Sequence, residues 1–166
     1  KYGTVNVITG TNIFAHVNKL DTFMRGVKLL LNSKDGIFVT ESHYAVNIVK
    51  DLQFDSIYHE HLRFFLLKPL IKLMQSYNFK VIDAMKIPNY GGSIRIVATL
   101  NKKMKVSKNI KKILLFEKRR CQTPVLGEAF AANARVHQEP WRGAVASSQM
   151  HLQRTRFVLL RLHRDP

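Results

Sequence analysis

With 166 residues and 46% apolar side chains, the chain can build one domain with its own core, and its single cysteine, Cys121, excludes an internal disulfide. A net charge of +16 suits anionic partners, but the ten phenylalanines fall at core spacings and no nucleic-acid recognition motif appears, so nucleic acid is not expected. No apolar run is long enough for a bilayer and no signal peptide opens the chain, so a cytoplasmic protein without a membrane partner is expected.

Val5–Ile8 is a β-branched run ending at Thr9-Gly10 and predicts a buried strand. Asn18 is placed to cap the next helix, with Asp21 three residues on as its reciprocal partner. Leu20, Phe23, Met24, Val27, Leu30 and Leu31 then mark one buried helix face. Asn32–Gly36 is a turn, and Ile37–Thr40 a second strand. Tyr44–Leu52 returns to helical spacing through Val46, Val49 and Leu52. Pro69 suits the first turn of a third helix, with Leu70, Leu73, Met74 and Tyr77 on one face. Phe79–Ile82 and Ser93–Thr99 are strands, joined through Pro88–Gly92 as a hairpin or near-hairpin. Helices between strands predict an α/β layer with parallel strands, to which the hairpin adds an antiparallel edge. Ligands of open α/β sheets sit beyond the carboxyl ends of the strands, where Asn12, His16 and the residues after Thr40 fall.

Residues 1–100 thus read as one α/β unit, and residues 101–118 as a basic linker or surface helix with Ile110, Ile113 and Leu114 inward. All sixteen lysines lie at or before Lys118, whereas eight of the eleven arginines follow it. That switch marks residues 119–166 as an atypical tail, either a basic arm or the product of a frame change or junction, with poor order expected. The chain opens on Lys1 with a strand already near, so a preceding segment is expected.

Asp55-Ser56-Ile57-Tyr58-His59-Glu60-His61 gathers a phenol, two imidazoles and two carboxylates where no helix or strand pattern requires them. A polar loop would explain this composition as well as a reactive site does. The second polar cluster, from Gly10 to His16, favours chemistry. Imidazole removes protons near neutral pH, a carboxylate orients it, and a phenol donates to a developing oxyanion. Tyr58, Glu60 and His61 are therefore candidates to deprotonate a carbon beside a carbonyl, which Asn12 and His16 would hold. His16 alone also reads as a structural histidine near a helix start. His59 and His61 alternate, but Arg63 and Phe64 follow instead of completing a His-Glu-x-x-His zinc motif, so no metal is expected. Gly91-Gly92-Ser93 admits a phosphate or makes a plain turn, the turn being preferred. Arg95 can meet an anion or face solvent.

Three segments, Gly10-Thr11-Asn12-Ile13-Phe14-Ala15-His16-Val17, Phe54-Asp55-Ser56-Ile57-Tyr58-His59-Glu60-His61-Leu62 and Tyr90-Gly91-Gly92-Ser93-Ile94-Arg95, together resemble the signatures of sugar C-methyltransferases. The resemblance covers roughly Val5–Leu100. It implies the C-terminal part of a class I, Rossmann-like methyltransferase sheet, S-adenosylmethionine as cosubstrate, and a nucleotide-linked 4-keto deoxysugar as substrate. It implies His61 as the base, Tyr58 and Glu60 as its support, and Asn12, His16, Ser93 and Arg95 on the substrate side. The family's glycine-rich turn and acidic cofactor residue are missing, as is its N-terminal zinc-binding cysteine domain. The chain alone is therefore expected to be inactive and to bind S-adenosylmethionine poorly or not at all. A non-catalytic basic binding module for anionic partners is the alternative, and a methyltransferase acting on another carbon acid or a hydroxyl is the third.

Overall fold

The computed structural model describes residues 3–120 and the backbone of residues 156–160. The strands are β1 (Val7–Thr11), β2 (Ile37–His43), β3 (Lys80–Ile87), β4 (Ser93–Thr99) and β5 (Arg156–Leu160). The helices are α1 (Leu20–Leu30), α2 (Ala45–Lys50), α3 (Leu67–Ser76) and α4 (Lys108–Arg120). One five-stranded sheet has the order β3-β4-β2-β1-β5. β1 and β2 are parallel, as the intervening helix requires, and the β3–β4 hairpin is antiparallel. The expected mixed α/β sheet is therefore present, with one refinement. β4 does not sit at an edge but inserts between β3 and β2, antiparallel to both.

The core lies on one face of the sheet. Ile8, Phe38, Ala84, Ile94, Ile96 and Ala98 project from the strands against Met24 and Val27 of α1, Leu70 and Met74 of α3, and Ile110 and Ile113 of α4. Each of these side chains larger than alanine contributes roughly 1.5–3 kcal/mol by leaving water. The basic stretch is thus a helix anchored by two isoleucines, and it runs on to Arg120.

Several boundaries differ from expectation. β1 runs through Gly10 to Thr11, because Gly10 pairs in register with Thr40. β2 continues past Thr40 because Glu41 faces Arg95 on β4, and opposite charges across a ladder stabilise the pairing. The Asn18–Asp21 capping pair does not form. Lys19 is the N-cap and makes no side-chain cap bond, while Asp21 pairs with Arg25 one turn on at 2.7 Å. Leu30 is 42% exposed, off the buried face of α1. Leu52 lies beyond α2 with a φ of 49° and is exposed. Of the expected tail, residues 156–160 form the edge strand β5, antiparallel to β1. The poor order expected elsewhere in 121–166 concerns residues outside those described.

α3 begins without a capping side chain of its own. Glu117 of α4 supplies one: its carboxylate accepts the backbone N–H groups of Leu67 and Lys68 and the hydroxyl of the buried Tyr44. A carboxylate there meets both the orphan donors and the positive end of the helix dipole.

Candidate functional site

Since β1 and β2 are parallel, their carboxyl ends share one rim. β4 runs the other way, so its first residue joins that rim, with Ser93 opposite His43. The link carrying Tyr58 and His61 is pinned to the same rim by its backbone. Leu62 N–H donates to the Ala15 carbonyl at 2.9 Å, and Ala45 N–H donates to the Phe65 carbonyl at 3.0 Å. Arg63 adds a bond from its guanidinium to the Val17 carbonyl at 2.6 Å. These bonds carry His61 to the β1–α1 loop and the end of β2, some 20 to 45 residues away in sequence.

The result is a cluster of three imidazoles. The ring centroid of His61 lies 4.9 Å from that of His16 and 4.8 Å from that of His43. Tyr58 lies at 4.1 Å and Phe64 at 5.9 Å. His61 is 9% exposed, and its ring contacts are with two imidazoles, a phenol and a phenyl ring. Its Nδ1 lies 2.8 Å from the Ser56 carbonyl oxygen, and its Nε2 lies 3.0 Å from the Tyr58 hydroxyl. Because a carbonyl only accepts, Nδ1 carries the hydrogen and Nε2 the lone pair. Burial lowers the His61 pKa; the Ser56 bond opposes this, charge on His16 adds to it, and Glu60 opposes it.

The remaining expected residues are distributed as follows. Glu60 makes no hydrogen bond to His61; its carboxylate lies 4.0 Å from His59. Ser56, not Glu60, fixes the tautomer. Asn12 stands at the end of β1 with φ 55°, its N–H on the Glu41 carbonyl and its buried side-chain oxygen without a partner among the described residues. Ser93 is buried and donates to the Asn89 carbonyl at 3.1 Å, so its hydroxyl serves the turn. Arg95 gives both Nε and Nη2 to one oxygen of the buried Glu41, at 3.2 and 2.9 Å. The anion it meets is internal. Tyr90, Gly91 and Gly92 all have positive φ, confirming the tight turn. A cavity of about 380 Å³ opens beside this turn, lined by Asn47, Lys86 and Ser93 among others.

Sequence reasoning missed His43 and Glu41. Both fall in the polar end of β2, where alternation with Val39 was the available signal. Among the described residues, no group of three His, Cys, Asp or Glu side chains could hold a metal, and no helix is long and apolar enough to cross a membrane.

No protein-family model matches the chain. A C-methyltransferase, NovU of Streptomyces niveus, is 36% identical to it over 98 residues. The chain is a partial relative of a C-methyltransferase. The match takes in 59% of this chain and 23% of NovU, so the chain spans about a quarter of that relative's length. The methyltransferase relation and the α/β layer therefore agree with what the three signature segments implied.

Proposed function

We propose that the chain is the base-bearing part of an S-adenosylmethionine-dependent methyltransferase that alkylates a carbon of a nucleotide-linked 4-keto deoxysugar. The state of His61 carries this reading. Its Nδ1 is tied to a backbone carbonyl, its Nε2 lone pair points to a phenol at the rim, and burial favours its neutral form. Together they leave an oriented, neutral imidazole with a basic nitrogen at the rim, which suits a general base. The substrate's C–H bond breaks, the proton moves to Nε2, and the electron pair passes into an enolate. Tyr58, once displaced from Nε2, is free to donate to the enolate oxygen. The similarity to a C-methyltransferase supports a carbon nucleophile. The net charge of +16 suits a substrate carrying phosphates.

S-adenosylmethionine supplies an electrophilic methyl group when bound. The described residues do not fit that whole molecule. Among them no glycine-rich turn leads from a strand into a helix, and Glu41 at the rim is held by Arg95. Tight binding of the cosubstrate is therefore not expected of this chain, and no step here runs through it. Enolisation needs no methyl donor. In heavy water, with a nucleotide-linked 4-keto-6-deoxysugar, the chain should exchange the hydrogen next to the keto group. His61→Gln should slow that exchange by about 10²-fold or more. Equal exchange in the variant rejects His61 as the base. Binding without any exchange supports the alternative of a non-catalytic anion-binding module.

A further inference from the structure

His43 has no part in the chemistry above, yet it closes β2 directly against the base. Its ring meets His61 at 4.8 Å and an interplanar angle of 70°, and meets Tyr90 at 5.9 Å. It is half-buried, and neither ring nitrogen has a hydrogen-bond partner among the described residues. A polar ring brought this close to a site and left without a protein partner is available to a ligand.

We propose that His43 donates its ring N–H to the substrate's carbonyl oxygen while His61 takes the proton from the adjacent carbon. This rests on His61 being the base. Two imidazoles in contact can address two neighbouring atoms of one substrate. In the step, the C–H pair becomes the new C=C bond, the carbonyl π pair moves onto oxygen, and the proton goes to His61 Nε2. His43 keeps its own proton and stabilises the enolate oxygen as a neutral donor.

The surroundings suit a neutral ring. His61 and His16 face it from two loops, Asp55 from the short helical turn before Tyr58, Tyr90 from the hairpin link, and Glu41 from its own strand. Burial lowers its pKa first, then charge on His61 and on His16; Asp55 and Glu41 oppose them. Glu41 is itself held by Arg95. When His61 becomes cationic, His43 is thereby kept from competing for the proton.

Two substitutions separate the donor role from packing. His43→Phe keeps a ring against Tyr90 and His61 but has no donor, whereas His43→Gln keeps an N–H and gives up the ring. In the deuterium-exchange assay, Gln should stay within about tenfold of the native chain, and Phe should lose about 10²-fold or more. The acidic limb of the pH profile, set by His61, should stay in place in both. Urea midpoints check that both variants fold, and His43→Met replaces Phe if Phe does not. Phe exchanging as fast as the native chain, or Gln as slow as Phe, overturns the assignment. No exchange in the native chain overturns His61 as the base, and His43 with it.

Discussion

The hydroxyl of Tyr58 stands 3.0 Å from Nε2 of His61, on the ring edge opposite the Ser56 carbonyl. With the hydrogen fixed on Nδ1, Tyr58 donates to the lone pair that a proton would otherwise occupy. A hydrogen bond to the neutral form disfavours the charged form. Tyr58→Phe should therefore raise the His61 pKa, back toward its ordinary value. An NMR titration of the His61 ring resonances measures this directly. A pKa that stays or falls would show that the phenol does not donate in solution.

Stability should respond to acid through the same cluster. His43 and His61 both lie below the ordinary value of 6.5, with burial the first cause in each. The unfolded chain then binds protons that these rings refuse when folded. Their contribution is whole above about 6.5 and is lost as pH falls through the folded values. Glu117 acts in the opposite sense: burial raises its pKa above 4.5, so its contribution is present below that value and lost as pH rises through the folded one. Urea unfolding at about pH 7 and about pH 5 should show a smaller acid-induced loss in the His43→Gln, His61→Gln double variant than in the native chain. An equal loss would assign the acid sensitivity to other groups.

Most of the sheet was legible because hydrophobic period survives in sequence. Ile8, Phe38, Ile94 and Ile96 announce strands, and Met24, Val27, Leu70 and Met74 announce helix faces. The end of β2 was not legible. Glu41 and His43 are polar, and they join the ladder by pairing with Arg95 and Ser93 of β4, some fifty residues later. A cross-strand ion pair is invisible to local periodicity. The same holds at the site. Tyr58 and His61 are close in sequence and were readable together, whereas His43 meets them only because Phe65 pairs beside Tyr44. Glu60 illustrates the reverse error. Adjacency suggested that it supports His61, but side chains one residue apart seldom face each other, and Ser56 takes that place.

Glu117 should be worth more than its place on a charged helix suggests. It is 4% exposed and serves two backbone donors of α3 and the Tyr44 hydroxyl. Glu117→Ala removes the acceptor that the buried Leu67 N–H, the Lys68 N–H and the Tyr44 hydroxyl share. The expected loss is about 2–4 kcal/mol, combining a lost cap with unsatisfied polar groups. Glu117→Gln should cost less, because one oxygen remains to accept. Urea midpoints of the two variants test the order. An alanine variant as stable as the native chain would mean that water replaces the carboxylate at the start of α3.

Gly92 holds the hairpin link against the end of β2. Its φ is 111°, its carbonyl accepts the Tyr44 N–H at 3.1 Å, and a Cβ there would collide with the Asn47 side chain. Tyr44 directly follows His43, so a shift of the link is passed to that ring and to Tyr90 beside it. Gly92→Ala should lower stability by roughly 1–3 kcal/mol, from backbone strain and the clash together. It should also weaken the contact between the His43 and Tyr90 rings, seen as loss of their mutual NOE. Asn47→Ala removes the clashing side chain and should restore part of the stability, leaving the φ strain. If the double variant recovered nothing, backbone conformation alone would account for the glycine.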